Sequence, residues 1–393
     1  MTRPDPAPAS EPASEPAHEP DWADEPDDFD GNRAAPDEAD GNRLPAPDAA
    51  APDRQPYAGL TPHAVLDALD AVGLRGDGRI LQLNSYENRV FQVHLEDGRI
   101  AVAKFYRAAR WSDAQILEEH GFATELAAAD VPAVAPWALS LDGVMTGSDA
   151  PALLSGVPST LAHWRGWRYG VSPRCGGRSP ELDRPEVLGW LGRFLARLHL
   201  VGQHKPFEHR LRLDGSARAR ADIAWLCAQD LLPPDALAGW RDTSLAALDL
   251  VDAAFARCAD WQSLRLHGDC HVGNLLWTEA GPHFVDLDDA VMGPAVQDLW
   301  MLLGGERHEM QAQLGAILDG YETLREFDRR ELALIEPLRT LRLIHHSAWI
   351  ARRWADPAFP IAFPAFDSPS YWAQQATQLR EQIELMQGAP LVA

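Results

Sequence analysis

Residues 267–274 read His-Gly-Asp-Cys-His-Val-Gly-Asn, and twelve positions after Asn274 comes Asp286, at the end of a short apolar run. Asp269 precedes Asn274 by five positions. The catalytic loop of kinases has the same spacing, with an aspartate that receives the proton of the acceptor hydroxyl and an asparagine that holds magnesium. Asp and Asn are also common turn residues, but the flanking His-Gly and the following elements favour a phosphoryl-transfer site with Asp269 as the proton acceptor.

A β-hairpin is predicted directly after Asn274. Two apolar triplets follow it, separated by a turn-rich link, which is typical of antiparallel strands. If Trp277 pairs with His283, Asn274 lies opposite Asp286 at the open end of the hairpin. Amide and carboxylate oxygens are hard ligands that Mg2+ prefers. We therefore predict Asn274 and Asp286 as metal ligands and count Asp286, with Asp269, among the catalytic residues.

A single lysine, Lys104, interrupts the otherwise apolar strand predicted over residues 100–106. A buried lysine needs a charged partner. Ser112 begins a capping-box pattern and thus a predicted helix that carries Glu118 and Glu119. Glu119 shares the apolar face of that helix, so we expect it to pair with Lys104 beside the nucleotide phosphates. Taken alone, Lys104 would also fit an edge strand that resists aggregation.

Seven segments of the chain resemble one group of bacterial kinases. These segments are residues 84–90, 104–107, 115–120, 266–271, 284–290, 293–300 and 352–357. They are similar to the stress response kinase A group, in the aminoglycoside-phosphotransferase and choline-kinase-like branch of the protein-kinase fold. The resemblance runs from about Tyr57 to the C-terminus. It implies transfer of phosphate from ATP, with Mg2+, to serine or threonine hydroxyls of proteins.

The resemblance implies the roles already inferred for the two aspartates and the asparagine, and it adds Ser85 to the nucleotide-phosphate loop. Residues 168–173 are expected to cross between two lobes, where backbone groups around Val171 would meet the adenine edge. No glycine-rich loop precedes Lys104, and only a few residues separate Asp289 from Gly293 and Pro294. A eukaryotic-type kinase with a long activation loop is therefore not expected.

The implied fold is α+β and two-lobed, with a small β-rich N-lobe at 57–168 and a larger helical C-lobe at 169–393. The 393 residues, 46% of them hydrophobic, suffice for such cores. Helical apolar spacing over 187–199 predicts a helix beneath the catalytic loop, and the same spacing recurs over 332–354.

Residues 1–56 have a different composition. They hold 12 of the 31 prolines and 15 Asp and Glu against four Arg, a net charge of −11 out of −23 for the whole chain. Such a segment buries too little apolar surface to offset its ordering entropy. We predict a disordered acidic tail, either a solvated segment or one that shields a basic partner.

The cellular location and the binding partners can be predicted from the net charge and from patterns that the sequence lacks. No apolar run approaches the ~20 residues of a membrane span, and no signal peptide pattern begins the sequence. The net acidity argues against nucleic-acid binding. The four cysteines show no metal-ligand spacing and are expected to be free thiols. We expect a cytoplasmic monomer that contacts neither membrane nor nucleic acid.

Three functions remain compatible with these patterns. The first is an ATP- and Mg2+-dependent serine/threonine protein kinase that also phosphorylates itself. The second is a phosphotransferase for a small alcohol of the aminoglycoside or choline kind. The third is a kinase-shaped protein that binds nucleotide without transferring phosphate. All the expected charged residues are present, which favours activity.

Deleting residues 1–56 is predicted to leave folding and basal phosphoryl transfer nearly unchanged, because this stretch has no core-forming pattern. Thermal melts and ATP turnover of the truncated chain measure both properties. A large drop in melting temperature on truncation would show instead that the tail is docked on the folded chain.

Overall fold

The two largest hydrophobic cores of the described residues lie in a smaller N-lobe and a larger C-lobe, and the second half of the helix over 113–128 packs into the larger core. The computed structural model describes residues 56–140, 152–153, 159–229 and 234–393, so nearly all of the predicted tail lies outside the described residues. A sheet dominates the first lobe and helices dominate the second. The predicted two-lobed α+β fold is confirmed.

The N-lobe is built on a six-stranded antiparallel sheet with the order β1-β2-β3-β6-β5-β4. Its strands are β1 (Gly76–Leu83), β2 (Arg89–Leu95), β3 (Ile100–Phe105), β4 (Ala152–Leu153), β5 (Ala162–Trp164) and β6 (Trp167–Pro173), and its helices are α1 (Pro62–Asp70) and α2 (Asp113–Ala128). Alternate residues of β3 are buried, namely Ala101, Ala103 and Phe105. This period of two places Lys104 on the face opposite the core.

Helix α2 begins with the predicted capping box. The Ser112 hydroxyl accepts the Gln115 N–H, and the Gln115 side chain accepts the Ser112 N–H in return. This reciprocal pair satisfies two backbone donors that the first helical turn leaves free. The helix therefore starts one residue after Ser112, and this start fixes the faces on which Glu118 and Glu119 lie.

The C-lobe is mainly helical, with four short strands at its catalytic edge. Its elements are α3 (Pro185–Gly202), α4 (Ala217–Cys227), α5 (Pro234–Arg257), β7 (Leu264–Leu266), β8 (Leu275–Thr278), β9 (Gly281–Phe284), β10 (Val291–Gly293), α6 (Gln297–Trp300), α7 (Arg307–Tyr321), α8 (Ile335–Arg353), α9 (Ala358–Ala362) and α10 (Pro369–Gln387). The helices predicted over 187–199 and 332–354 correspond to α3 and α8. None of the helices in the described ranges is both long enough and apolar enough to cross a membrane.

The predicted hairpin forms, but its predicted register is wrong by one residue. Trp277 pairs with Pro282 instead of His283, and Thr278 pairs with Gly281. The strands extend further toward the turn than expected, and the Thr278 hydroxyl donates to the Gly281 carbonyl at 3.0 Å. Only two residues remain in the loop, so Asn274 lies opposite Val285, whose N–H donates to the Asn274 carbonyl at 3.1 Å.

Strand β6 crosses the boundary that was predicted between the lobes at residues 168 and 169. Its residues 169–173 pair with β3 and so belong to the N-lobe sheet. The exact division of the chain into 57–168 and 169–393 stays a prediction, and we propose to place the junction after Pro173.

Helices α3 and α7 pack with their backbones almost in contact. A Cβ atom at Gly192 would lie 2.0 Å from the Ile317 carbonyl oxygen, and one at Gly320 would lie 2.0 Å from the Gly189 carbonyl oxygen. Only glycine permits this approach. The contact matters for the site because α3 carries His199 and α7 carries Tyr321, and His199 Nδ1 lies 2.8 Å from the Tyr321 hydroxyl.

Gly192→Ala is predicted to destabilise the fold by about 1–3 kcal/mol, because the added methyl group forces the two helices apart. Gly189→Ala is the matched control on the same helix, since its Cβ would lie 3.7 Å from the nearest atom and alanine favours helix. Chemical denaturation measures both. Equal stability of the two variants would contradict the close packing.

Candidate active site

The catalytic loop is held from below by one buried carboxylate, Asp298. Its Oδ1 accepts the N–H of Gly268 at 2.8 Å, and its Oδ2 accepts the N–H of His267 at 2.8 Å and also lies 3.0 Å from His199 Nε2. Asp298 is fully buried. Hydrogen bonds to a charged group are among the stronger ones, so this side chain fixes the backbone immediately before Asp269.

Gly268 is required where the loop turns. Its φ is +85°, and a Cβ atom there would lie 2.1 Å from the Asp289 carbonyl oxygen. Its own carbonyl accepts the Gln297 side-chain N–H at 2.8 Å. The glycine thus brings the catalytic loop directly against the segment that contains Asp286 and Asp288.

Asp269 is almost fully buried and has a partner on each carboxylate oxygen. Arg342 donates to Oδ1 at 2.8 Å, while the Asn274 amide donates to Oδ2 at 3.2 Å and His271 Nε2 lies 3.3 Å from Oδ2. Burial alone would raise the pKa of Asp269, but Arg342 and His271 together hold that pKa well below its usual range. The carboxylate is therefore ionised and oriented.

Asn274 lies beside Asp269, and Asp286 follows Val285 at the open end of the hairpin. The Asn274 amide nitrogen donates to the Asp269 carbonyl at 3.0 Å as well as to its carboxylate, so the amide oxygen points away from Asp269. Asp286 has φ +58° and ψ +66°, a left-handed conformation that is uncommon outside glycine. Such strain clusters at functional sites, and here it turns a partly exposed carboxylate into the cleft between the lobes.

Lys104 reaches this carboxylate from the N-lobe and forms an ion pair with Asp286. A second carboxylate, Asp288, lies 3.9 Å from the Lys104 ammonium. Burial alone would lower the pKa of Lys104, but the two aspartates raise it well above the usual value. The predicted ion pair between Lys104 and Glu119 is not among the contacts found, and Asp286 takes that position.

Glu118 and Glu119 have different surroundings. The Glu118 carboxylate accepts the backbone N–H groups of residues 208–210 at 2.6 to 3.0 Å, which ties α2 to the C-lobe. Glu119 is buried, and burial raises its pKa to about 7, with Lys104 acting in the opposite sense. Glu119 is thus buried while Glu118 ties α2 to the C-lobe, and the pairing of Glu119 with Lys104 at the nucleotide stays a prediction.

The loop between β1 and β2, which contains Ser85, is joined to the C-lobe by buried charges. The fully buried Glu87 carboxylate lies 2.8 Å from Arg107, accepts the Trp349 indole N–H at 2.8 Å and lies 2.5 Å from Arg353. The neighbouring Asn88 donates to Asp288 at 2.9 Å, and the Ser85 hydroxyl accepts the Asn88 N–H at 3.3 Å. Ion pairs between buried side chains hold this loop in place. Kinases commonly have a glycine-rich loop at this position.

Arg110 connects two further carboxylates beneath the site. It lies 2.8 Å from Asp288 and donates to Asp289 at 2.7 Å. Burial raises the pKa of Asp289 to about 8, against the opposing effect of Arg110, whereas Lys104 and Arg110 overcome burial at Asp288 and lower its pKa. The two neighbouring carboxyl groups therefore have pKa values that are shifted in opposite directions.

Val171 does not present its carbonyl to the cleft. That carbonyl accepts the Trp137 N–H at 2.6 Å, and the Val171 side chain is buried in the N-lobe core. After Pro173 the chain runs against the hairpin, where Arg178 and Trp277 exchange two backbone hydrogen bonds. The Val171 carbonyl therefore already has a backbone partner, and an adenine contact at Val171 stays a prediction.

Asp298, Arg342, Arg110 and Glu87 were not predicted as site residues. Asp298 lies in one of the family-like segments, 293–300, and is the one charged residue of that segment, which is a signal that sequence reasoning could have used. Arg342 lies in a correctly predicted helix, but helical spacing does not reveal which loop the side chain faces.

The oxygen ligands present fit a magnesium ion that is shared with nucleotide phosphates. Within the residues that the structure describes, no three His, Cys, Asp or Glu side chains converge as a metal cage would require. Mg2+ usually takes one or two carboxylates and completes its shell with phosphates and water. Asp286 and the Asn274 amide oxygen are of the right chemistry, and they would hold the ion.

The fold and this site together define a phosphotransferase of the kinase fold, and three comparisons agree. A sequence profile described as "Phosphotransferase enzyme family" matches residues 79–335. The stress response kinase A of Salmonella choleraesuis and the serine/threonine protein kinase RdoA of Salmonella typhimurium are each 43% identical over 337 residues, which cover 85% of this chain and 96% of the relative. A solved structure of the amicoumacin kinase hAmiN, in complex with AMP-PNP, Ca2+ and Ami, has a TM-score of 0.58 at 19% identity, and the match covers 84% of this chain and 94% of hAmiN.

The chain belongs to the phosphotransferase enzyme family and, within it, to the stress response kinase A group. It is an ATP-dependent phosphotransferase. The resemblance noted from the sequence is confirmed, and the hAmiN likeness supports the fold alone.

Asp298→Asn is predicted to lower kcat at least tenfold and to cost about 1–3 kcal/mol of stability, because an amide cannot accept from all the donors that the carboxylate serves. Steady-state kinetics and thermal melts measure the two effects. Asp319→Asn, an exposed charge change on α7, is the control and should alter neither. Full activity of Asp298→Asn would show that the loop does not depend on this anchor.

Proposed function

We propose that this chain is a serine/threonine protein kinase that transfers the γ-phosphate of ATP to protein hydroxyls, including its own. The observation that carries the proposal is the ionised Asp269 carboxylate, oriented from both sides by Arg342 and Asn274. The likeness to the serine/threonine protein kinase RdoA of Salmonella typhimurium supports the protein substrate.

Asp269 would orient the attacking hydroxyl. Its low pKa makes it a weak base, which suits a loose transition state in which the nucleophile loses its proton late. The main contribution of Asp269 is then to accept a hydrogen bond from the hydroxyl and align its oxygen with the phosphorus. Positioning of this kind supplies much of the rate enhancement in phosphoryl transfer.

Lys104, Asp286 and Asn274 would bind the nucleotide side of the reaction. Mg2+ would neutralise phosphate charge when bound by Asp286 and Asn274. Lys104 already lies against Asp286, so its ammonium is placed to contact a phosphate that shares this region. Glu119 would support Lys104 electrostatically, and Ser85 would contribute a hydroxyl to the loop over the phosphates. An adenine contact at Val171 stays a prediction.

A small alcohol is the second candidate acceptor, because the kinases of known structure with this fold include an antibiotic kinase. Two features disfavour a cationic alcohol. Arg342 lies 2.8 Å from the Asp269 carboxylate, and His271 lies on its other side. A cationic acceptor would have to approach Asp269 beside a guanidinium group, which is electrostatically unfavourable.

Asp269→Asn is predicted to abolish most phosphoryl transfer while the affinity for MgATP stays near that of the wild type, because this carboxylate acts on the hydroxyl. Asp286→Asn should weaken MgATP binding and steepen the Mg2+ dependence, because it removes a charged metal ligand. Phosphate transfer to a generic protein substrate and to the enzyme itself, with calorimetric MgATP titration, measures both effects.

The two variants serve as controls for each other, since each removes one carboxylate charge at the same site. A wild-type protein that binds MgATP but phosphorylates no protein, while it modifies an aminoglycoside or choline-like alcohol, would replace the protein-kinase proposal with the second candidate. Transfer to neither acceptor would leave a nucleotide-binding protein.

A further inference from the structure

We propose that Arg342 is a positioning residue for phosphoryl transfer, which sets the Asp269 carboxylate relative to the phosphate loop through the rigid helix α8. This inference rests on the proposed kinase function. Arg342 comes from outside the catalytic loop, 73 positions after Asp269. The other two partners of the carboxylate, His271 and Asn274, belong to the same loop as Asp269 and would move with it.

The two oxygens of Asp269 have distinct partners. Arg342 Nη1 donates to Oδ1 at 2.8 Å, whereas the groups of the loop itself contact Oδ2. A carboxylate held on both oxygens cannot rotate about its Cβ–Cγ bond without losing a contact. Arg342 therefore fixes the plane of the carboxylate, and it alone of the three ties that plane to a long helix.

The same face of α8 that contacts Asp269 also holds the loop that carries Ser85. Trp349 and Arg353 lie seven and eleven positions after Arg342, about two and three helical turns further along. Both contact the Glu87 carboxylate, at 2.8 Å and 2.5 Å. One helix face thus contacts the residue that orients the acceptor and the loop proposed to cover the phosphates, about 16 Å apart along the axis.

Helix α8 is well suited to keep this spacing. Most of its residues are buried, and Trp349 is completely so. Its indole ring packs edge-on against Phe359 with a centroid distance of 5.0 Å. A closely packed helix keeps its shape, so the distance between Arg342 and the residues that contact Glu87 is fixed. Arg342 therefore sets the position of the Asp269 carboxylate relative to the loop that carries Ser85.

Arginine and lysine would not perform this task equally well. The planar guanidinium presents its donors in a fixed arrangement, whereas a lysine ammonium is a point charge on a flexible stem. Arg342→Lys keeps the charge and loses the fixed geometry, and Arg342→Met loses both. Arg339 lies on the same helix, 3.1 Å from Glu336 and stacked on Trp300, and Arg339→Met is therefore the matched control.

The experiment compares kcat, the KM for ATP and calorimetric MgATP affinity for wild type, Arg342→Met, Arg342→Lys and Arg339→Met. We expect Arg342→Met to lower kcat about 100-fold, the size of loss that a misplaced reacting group produces. Its MgATP affinity should stay within about twofold, because Arg342 donates to Asp269, the residue proposed to act on the hydroxyl and not on the nucleotide. Arg342→Lys should recover part of the loss, and Arg339→Met should match wild type.

Millimolar guanidinium ion provides a second readout, which a purely structural role would not produce. It should raise the rate of Arg342→Met while leaving wild type and Arg339→Met unchanged. A kcat for Arg342→Met within threefold of wild type overturns the proposal. So does a loss of rate with an equal loss of MgATP affinity and no response to guanidinium.

Slow hydrolysis of ATP, with water as the acceptor, separates this inference from the kinase proposal. If wild type phosphorylates no protein but hydrolyses ATP, and Arg342→Met loses that hydrolysis selectively in kcat, the protein-kinase proposal fails and the role of Arg342 stands. If wild type phosphorylates protein and Arg342→Met does so equally well, the kinase proposal stands and the role of Arg342 fails.

Discussion

The buried carboxylate of Asp298 holds the catalytic loop in place, and the rest of the active site is built on that loop. Its oxygens accept two consecutive backbone N–H groups and lie against His199 on α3. His199 in turn contacts Tyr321 on α7. A chain of buried polar contacts therefore runs from the core of the helical lobe to the residue before Asp269. The glycines that bring α3 and α7 together belong to the same support.

The second organising feature is a set of buried ion pairs between the lobes. Glu87 and Arg107 belong to the N-lobe, while Trp349, Arg353 and Asp356 belong to the C-lobe, and Arg107 donates to Asp356 at 2.9 Å. Burying charges is costly, and the attraction within each pair often only offsets that cost. Their value here lies in geometry. They fix the position of the loop between β1 and β2. Apolar contacts would orient this loop less precisely.

Sequence patterns predicted the parts of the site that depend on local spacing. The spacing of Asp269, Asn274 and Asp286, the capping box at Ser112 and the isolated Lys104 are all local signals. The register of the hairpin was wrong because the Thr278 hydroxyl bond to the Gly281 carbonyl shortens the loop to two residues, a side-chain effect that apolar periodicity does not show.

Sequence patterns also did not predict contacts between residues that are far apart in the chain. Lys104 pairs with Asp286, 182 positions away, and Arg342 reaches Asp269 across 73 positions. The periodicity of apolar residues in helices and strands shows which residues share a face. It does not show which other element packs against that face, because this depends on how the two lobes come together. The same holds for Val171, whose carbonyl is taken by Trp137, a residue in an irregular segment that no period predicts.

The Glu87 contacts also bear on the order in which the chain can fold during synthesis. Glu87 and Trp349 are separated by 262 positions, so the loop that carries Ser85 leaves the ribosome long before its partners on α8 exist. Chains fold from the N-terminal side as they emerge, but Glu87 and Asn88 of this loop cannot form their final contacts until the C-lobe has been synthesised. The nascent N-lobe can build its sheet early, but the loop between β1 and β2 is completed only when almost the entire chain has been translated.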